Sequence, residues 1–126
     1  PLLPAGITYI GIDIAESQER FGYRTDDTRY FEGNVWPVDD ASVDLAFATE
    51  TLEHVDDPAQ FLAEAFRVLK PAGRLVLTVP FSARWHFVPY DYWRYTPASL
   101  DMLLRGAGLM DVKLYSRGRM SRLAGL

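Results

Sequence analysis

The sequence predicts an α/β fold with a mostly parallel sheet and flanking helices. Strand-like and helix-like segments alternate along the 126 residues, which is typical of parallel α/β architecture. The segment Val43–Thr49 is apolar on both faces after its second residue, as expected of a central strand covered by helices on both sides. The length and a hydrophobic fraction of 48% suit a single domain over residues 1–126.

Four further segments have the composition of β-strands. Residues 7–12 are β-branched and aromatic, and residues 30–32 form a weaker run of the same kind. Residues 74–79 are the strongest strand candidate of the chain. Residues 109–115 alternate between apolar and polar side chains, which favours an edge strand.

One helix is predicted between residues 57 and 70. Asp57 is the expected N-cap, Pro58 occupies the first helical position, and Gln60 completes a capping-box pattern three residues after the cap. Residues 70–73, which include a proline and a glycine, end the helix. Its predicted apolar face consists of Phe61, Leu62, Ala65, Val68 and Leu69.

A second helix is predicted to begin at Thr96 and Pro97 and to end at the glycines of residues 106–108. It would bury Leu100, Leu103, Leu104 and Ala107. A short helix is also expected at Ala15–Phe21.

The composition excludes several classes of protein. The chain has no cysteine, so disulfide frameworks, thiolate nucleophiles and sulfur-ligated zinc sites are ruled out. A net charge of −4 argues against a nucleic-acid surface over the whole domain. No apolar run reaches the roughly 18 residues of a membrane span, and no targeting signal is recognisable. We therefore expect a soluble, cytoplasmic protein.

Residues 80–95, called the aromatic segment below, lack clear periodicity yet are rich in aromatic side chains. A loop of this length in a compact domain is usually functional or disordered, and its aromatic content argues against disorder. The segment could wall a pocket, or it could form a hydrophobic cluster that pins the crossover to the sheet, and both can hold together. Its aromatic residues are Phe81, Trp85, Phe87, Tyr90, Tyr92, Trp93 and Tyr95.

Polar side chains that follow strands are candidates for ligand binding, because ligands of such folds lie beyond the carboxyl ends of the strands. Asp13 closes the first predicted strand and could accept hydrogen bonds from both hydroxyls of a ribose. Alternatively, it caps the short helix that follows. Asn34 could present its amide to a purine edge while Val35 and Trp36 cover the ring, although this stretch also has ordinary turn composition.

The residues after Val43–Thr49 include acids and a histidine. If this stretch were helical, Glu50, Glu53 and His54 would share one face, a pattern that suits a metal site. We predict no metal site, because the one other histidine is His86 and further ligands would have to come from distant parts of the chain. Glu53 and His54 are expected to form hydrogen bonds that shape the loop, and His54 or His86 could accept a proton.

Short motifs follow one another in a defined order between residues 7 and 115. They are YIGIDI at 9–14, FEGN at 31–34, DASVD at 40–44, LEHVDDP at 52–58, FRVLKPAGRL at 66–75, DYWRYTP at 91–97 and AGL at 107–109. Together they resemble the class I S-adenosylmethionine-dependent methyltransferases, and within them the type 11 group.

This resemblance implies a Rossmann-like sheet that binds S-adenosylmethionine. It places Asp13 at the ribose diol, Asn34 and Val35 beside the adenine, and Thr49 and Glu50 near the methionine end. The aromatic segment would form the wall of the acceptor site. The implied cofactor-binding residues are thus Asp13, Ile14, Asn34, Val35, Thr49 and Glu50, with His54 and His86 as candidate catalytic residues.

The resemblance implies methyl transfer to an acceptor that the sequence does not identify. A small molecule or a glycan-like compound would suit the aromatic segment. Two alternatives remain open: a non-catalytic interaction domain derived from this fold, and an NAD-dependent oxidoreductase. The second lacks a visible Gly-x-Gly-x-x-Gly motif and the Tyr-x-x-x-Lys pair of short-chain reductases.

The chain departs from the family at both ends. The family's first strand and glycine-rich turn are not found, although in relatives that strand lies between the strands matched here by residues 7–12 and Val43–Thr49. The final returning strand is also missing. We therefore expect a fold that is incomplete at both ends and inactive as this chain, a rearranged sheet, or a homo-oligomer formed by strand exchange.

Overall fold

The computed structural model describes residues 3–22, 24–86 and 90–117. In chain order the elements are β1 (Gly11–Ile14), α1 (Ala15–Phe21), β2 (Thr28–Phe31), β3 (Val43–Thr49), a 3₁₀ turn (Leu52–His54), α2 (Pro58–Val68), β4 (Leu69–Thr78) and α3 (Pro97–Gly106). Within these described ranges, no helix combines the length and apolar character that crossing a membrane requires.

The strands form two parallel pairs, which confirms the α/β class. β1 pairs with β2 so that Asp13 lies opposite Tyr30, and β3 pairs with β4 so that Ala46 lies opposite Leu75. In the described part of the chain, β1 and β3 are not hydrogen-bonded to one another. The carboxyl ends of β1 and β2 therefore meet at one edge, and those of β3 and β4 at another.

The hydrophobic core lies between the helices and one face of the β3–β4 pair. Its buried side chains are Leu52, Leu62, Tyr95, Leu100 and Leu104, and Leu75 and Leu77 of β4 pack against them. On the opposite face Leu45 is 57% and Phe47 68% exposed. The expectation that helices cover β3 on both sides is therefore wrong for the described residues, because α2 and the core lie on the side of Leu75 and Leu77.

Both predicted helix starts are confirmed. The Asp57 carboxylate accepts a hydrogen bond from the Gln60 backbone N–H at 3.0 Å, and the Thr96 hydroxyl accepts one from the Ser99 N–H at 3.1 Å. The capping box at Asp57 is only half formed, because the Asp57 N–H donates to the neighbouring Asp56 carboxylate at 2.9 Å. The helix at Ala15–Phe21 is also confirmed.

Several predicted strand boundaries are wrong. The strand expected at residues 7–12 is Gly11–Ile14, because β2 offers partners only opposite these four residues. Asp13 therefore lies within β1 and does not close it. The strand expected at residues 74–79 begins already at Leu69, where its pairing with β3 contains an irregularity between Val43 and Leu45.

The edge strand expected at residues 109–115 is not formed. These residues adopt no regular secondary structure, and no strand of the described chain pairs with them. Leu109 and Val112 pack against the core, whereas Met110 and Tyr115 are almost fully exposed. The residues that pack on the core, Leu109 and Val112, are three positions apart, so the alternating pattern did not indicate which side chains would be buried.

Candidate cofactor cleft and histidine pair

A cleft of about 250 Å³ opens at the carboxyl ends of β1 and β2. Ile14 is the last residue of β1 and Phe31 the last of β2, and both line the cleft. This is the edge at which parallel α/β folds bind ligands. The lining residues are Ile14, Ala15, Glu16, Phe31, Glu32 and Gly33.

Asp13 precedes Ile14 and is half-buried. Its Oδ1 accepts a hydrogen bond from the Ile14 N–H at 2.8 Å. Asp13 does not cap α1, because the N-cap position belongs to Ile14 and no side chain caps the helix. Within the described chain, Oδ2 of Asp13 has no hydrogen-bond partner, so the carboxylate keeps acceptor capacity for a ligand.

Asn34 and Val35 lie in the turn after β2 and are exposed. Gly33 starts this turn with a φ of 74°, a left-handed conformation that glycine adopts at low cost. The Trp36 ring packs edge-on against Phe61 with centroids 5.0 Å apart, and its contact with a purine stays a prediction. Asn34 and Val35 adjoin the cleft without lining it.

Two charged residues of α2 hold the loop that carries Asn34 and Val35. The Glu64 carboxylate accepts from the Trp36 N–H at 2.7 Å, and the Arg67 guanidinium donates to Trp36 O at 3.1 Å and to Val38 O at 2.9 Å. Arg67 also pairs with Glu64 at 2.7 Å and with Asp40 at 2.5 Å. The Arg67 guanidinium lowers the pKa of the buried Glu64 carboxyl below its usual value.

The sequence analysis did not single out this clamp. One signal was available, because Glu64 and Arg67 are three residues apart on a predicted helix and could have been expected to pair. Their contacts with residues 36–40 depend on how α2 packs and could not be read from spacing.

Thr49 and Glu50 lie at the carboxyl end of β3, in the other strand pair. Glu50 has a φ of 48°, which is unusual for a residue with a side chain. Its carboxylate accepts from the Thr78 hydroxyl at 3.0 Å, and the Thr49 carbonyl accepts from Thr51 at 3.0 Å. Neither residue lines the cleft at β1 and β2.

The aromatic segment is tied to the 3₁₀ turn by backbone and side-chain donors that bond to backbone carbonyls of residues 52–55. The Tyr92 and Trp93 N–H groups both donate to Glu53 O, at 2.9 and 3.3 Å. The Trp93 indole donates to Val55 O at 2.8 Å, and the buried Tyr95 hydroxyl donates to Leu52 O at 3.0 Å. The interpretation that a hydrophobic cluster pins the crossover to the sheet is confirmed only in part. The segment is attached, but by hydrogen bonds to the turn after β3, and of its described aromatic side chains only Tyr95 is buried. Phe87 lies outside the described residues.

This attachment brings the two candidate catalytic histidines together. Nε2 of His54 and Nε2 of His86 are 3.3 Å apart. Nδ1 of His54 is hydrogen-bonded to the Tyr90 carbonyl, and Nδ1 of His86 lies 3.2 Å from the Arg84 carbonyl. The Glu53 carboxylate is fully buried, with Oε1 3.7 Å from Nε2 of His54.

Among the described residues, the side chain of Glu53 does not form the hydrogen bonds that the sequence analysis predicts. Its side chain was expected to hydrogen-bond and shape the loop, but within the described chain neither carboxylate oxygen has a hydrogen-bond partner. Its backbone carbonyl shapes the loop instead, through Tyr92 and Trp93. Burial raises the pKa of the Glu53 carboxyl, because the charged form loses its hydration.

A second cleft, of about 280 Å³, lies along the aromatic segment. Asp91 is central to it, with a side chain only 1% exposed that pairs with the Arg94 guanidinium at 2.5 Å and accepts from the His86 N–H at 2.9 Å. The Arg94 guanidinium strongly lowers the pKa of the Asp91 carboxyl. The lining residues are Ala83, Trp85, Asp91, Tyr92, Trp93 and Arg94.

The aromatic segment also reaches the β1–β2 half of the molecule. The Arg20 guanidinium, at the end of α1, stands 5.7 Å from the Tyr90 ring centroid. Tyr90 in turn lies 5.7 Å from the Tyr92 ring. Aromatic side chains thus extend from α1 to the second cleft.

Parallel strand pairs, helices that connect them and a cleft at the strand ends are common to open α/β folds, among them that of class I S-adenosylmethionine-dependent methyltransferases. Residues 1–77 match the methyltransferase-domain family of type 11. The chain belongs to this family, whose methyl donor is S-adenosylmethionine.

Three similar proteins illustrate the relationship. A "probable S-adenosylmethionine-dependent methyltransferase" of Mycolicibacterium smegmatis is 38% identical over 56% of the chain and 29% of its own length. The 27-O-demethylrifamycin SV methyltransferase of Amycolatopsis mediterranei is 41% identical over 53% of the chain and 28% of its own length. A methyltransferase solved in complex with the Trm112 methyltransferase activator of Haloferax volcanii superposes with a TM-score of 0.59, at 26% identity, over 85% of the chain and 58% of that structure. The matches thus cover less than a third of these two curated relatives.

Proposed function

We propose that the chain is the part of an S-adenosylmethionine-dependent methyltransferase that binds the adenosine half of the cofactor and one side of the methyl acceptor. The observation that carries this proposal is the half-buried Asp13 carboxylate next to the cleft at the ends of β1 and β2, in a chain of this family. We further propose that residues 1–126 form one methyltransferase-like domain that acts in the cytoplasm.

The residues at this cleft fit the nucleoside part of the cofactor. The open Oδ2 of Asp13 supplies an acceptor for the ribose hydroxyls, and apolar atoms of Ile14 and Phe31 line the space beside it. Asn34 and Val35, on the loop that Glu64 and Arg67 clamp, would contact the adenine. Thr49 and Glu50 would approach the methionine part, where a carboxylate suits an ammonium group.

Methyl transfer from S-adenosylmethionine requires mainly that the protein orient the acceptor relative to the methyl group. When bound, S-adenosylmethionine supplies an electrophilic methyl group on a sulfonium. The chain then has to hold the acceptor in line with that methyl group, and rigid anchoring of the aromatic segment serves this purpose. We propose that His54 and His86 take up the proton of an acceptor that must lose one.

The acceptor we propose is a small ring-containing or glycan-like molecule. Trp85, Tyr92 and Trp93 line the second cleft with partly exposed aromatic surface, which suits the flat faces of sugars and aromatic rings. The Asp91–Arg94 pair at its base offers polar contacts to hydroxyl groups.

Calorimetric titration of the chain with S-adenosylhomocysteine tests the proposal, with NAD as the competing ligand. We expect saturable binding of S-adenosylhomocysteine and none of NAD. Asp13→Ala should weaken this binding at least about tenfold, because a hydrogen-bonded carboxylate typically contributes this much. Asp44→Ala removes an exposed carboxylate on β3 that pairs with Lys70, and it should leave the affinity unchanged.

Other outcomes separate the alternatives. Preferential binding of NAD would favour the oxidoreductase. A folded chain that binds neither ligand would favour the non-catalytic interaction domain. Equal loss of affinity in Asp13→Ala and Asp44→Ala would show that Asp13 has no specific role.

A further inference from the structure

Both histidines of the chain and one buried carboxylate converge on a single point. The nearest ligand atoms of Glu53, His54 and His86 all lie within 4.8 Å of one another. The sequence argued against a metal site because His86 is 32 residues from His54. The bonds between the aromatic segment and the 3₁₀ turn remove that objection, because they carry His86 to His54.

The hydrogen bonds of the two imidazoles leave a lone pair on each inner nitrogen. A carbonyl oxygen can only accept, so Nδ1 of His54 must donate to Tyr90 O. In the same way Nδ1 of His86 donates to Arg84 O, with the Asp91 carboxylate 3.5 Å away. In neutral rings both Nε2 atoms are then acceptors 3.3 Å apart, and their lone pairs repel one another unless a proton or a metal ion lies between them.

Glu53 supplies negative charge at the same place. Its side chain is 0% exposed, and within the described residues neither oxygen accepts a hydrogen bond. A buried carboxylate without partners is costly, whereas one that ligates a metal ion is compensated. Arg94, the nearby cation, is committed to Asp91 by bonds of 2.5 and 2.8 Å.

Two of the three distances between the ligand atoms suit a small metal ion. Two nitrogens that each lie about 2.0–2.1 Å from a tetrahedral ion are separated by roughly 3.3 Å. The two Nε2 atoms have this separation, and Oε1 of Glu53 is 3.7 Å from Nε2 of His54. All three ligand atoms lie within 4.8 Å of one another, so ion binding requires Glu53 and His86 to move closer together. We propose that Glu53, His54 and His86 form a binding site for a divalent transition-metal ion of the Zn²⁺ type.

His54 and His86 have the hydrogen bonds that are typical of metal-ligating histidines. In such histidines the second ring nitrogen donates to a carbonyl or carboxylate, and this bond fixes the orientation of the ring. Two imidazoles and one carboxylate suit Zn²⁺ or Co²⁺ and leave a further position open. His86 is 43% exposed and gives the ion access from solvent. A bound ion occupies the lone pairs that proton uptake by the histidines requires, so the two roles exclude one another in one molecule.

Titration of the metal-free chain with Co²⁺ and Zn²⁺, followed by calorimetry and by the visible absorption of Co²⁺, tests the site without cofactor or acceptor. We expect one ion per chain and the strong absorption of tetrahedral Co²⁺. His86→Ala and Glu53→Gln should each weaken binding at least about tenfold, which is the lower end for loss of even an outer partner. Circular dichroism checks that each variant is folded.

Glu50→Gln is the matched control. Glu50 belongs to the ligand set suggested by helical spacing, but in the structure it bonds to Thr78 and lies outside the cluster. The charge of Glu50 acts on Glu53 from outside the cluster, so Glu50→Gln should weaken binding far less than Glu53→Gln does. The proposal is overturned if the folded chain binds no ion, if His86→Ala binds as tightly as the unchanged chain, or if Glu50→Gln loses as much affinity as Glu53→Gln. ¹⁵N NMR of the imidazoles showing one proton shared by the pair in the presence of excess Zn²⁺ would also overturn it.

Discussion

Glu64 is a buried carboxylate on α2 that holds the loop after β2, which carries Asn34 and Val35. It pairs with Arg67 and accepts from the Trp36 N–H, so α2 and the loop after β2 are joined by charged hydrogen bonds. Such bonds are stronger than those between neutral groups, and a buried carboxylate depends on keeping its partner. The loop is thus held from the side of α2.

Glu64→Gln should lower the free energy of unfolding at pH 7 by about 2 kcal/mol, because a charge-assisted bond to Arg67 is lost. The pKa of Glu64 is lowered in the folded chain, so its contribution is complete above the unfolded pKa of about 4.3 and is lost as the pH falls through the folded pKa. The two proteins should therefore converge in stability at acidic pH. Urea unfolding at pH 7 and pH 3 measures both values.

Glu16→Gln provides the control for this experiment. Glu16 also pairs with an arginine on its own helix, but both partners are exposed. Glu16→Gln should change the free energy of unfolding by less than about 0.5 kcal/mol at either pH. An equal effect of the two substitutions would contradict the role assigned to Glu64.

Sequence alone could identify Asp13, His54 and His86 as candidates, because residue type and position after a strand are local properties. It could not show that His54 and His86 touch or that the Glu53 carboxylate is buried without a partner. Those facts depend on the path of the aromatic segment, which has no periodicity from which packing could be inferred.

At the scale of elements, the aromatic segment and the 3₁₀ turn behave as one unit. The buried Tyr95 hydroxyl donates to Leu52 O, and both residues belong to the hydrophobic core. The aromatic segment therefore ends at Tyr95 in the hydrophobic core, and the same segment carries His86. The packing of the core thus affects the position of His86 relative to His54.

Tyr95→Phe should lower the free energy of unfolding by about 1–2 kcal/mol, because the Leu52 carbonyl loses its shorter hydrogen bond and keeps only the one from the Val55 N–H at 3.3 Å, while the ring remains. Urea unfolding followed by fluorescence measures the change. Tyr115→Phe, at an exposed tyrosine outside the regular elements, should change stability by less than about 0.5 kcal/mol. If Tyr95→Phe proved as stable as the unchanged chain, the hydroxyl would not anchor the segment.

Elements with local signals were predicted well. The caps at Asp57 and Thr96 and the strand Val43–Thr49 are where the sequence predicts them. The edge strand at residues 109–115 was wrong, because a strand exists only where a neighbour pairs with it and alternation cannot show whether one does.

At the scale of the whole molecule, one face of the β3–β4 pair stands open. Leu45 and Phe47 point to this face, and Val76 of β4 lies opposite Phe47. Apolar side chains that remain exposed on a folded protein are usually scattered singly, so a contiguous group of three is a distinct feature.

This open face should bind the apolar dye 8-anilinonaphthalene-1-sulfonate in the folded state. Leu45→Thr combined with Phe47→Thr should reduce the dye fluorescence at little cost in stability, because both side chains are exposed. Met110→Thr removes an exposed apolar side chain located elsewhere and should leave the fluorescence unchanged. Undiminished fluorescence in the double variant would show that the dye binds at another place.

The hydrogen bonds of the aromatic segment have a consequence for which of its side chains can be replaced. Tyr90 and Tyr92 contribute a main-chain carbonyl and a main-chain N–H to the attachment, so replacement of either ring leaves these hydrogen bonds intact. Tyr92 lines the second cleft. The shape of the second cleft can therefore change by substitution at Tyr92 while the segment stays attached to the 3₁₀ turn.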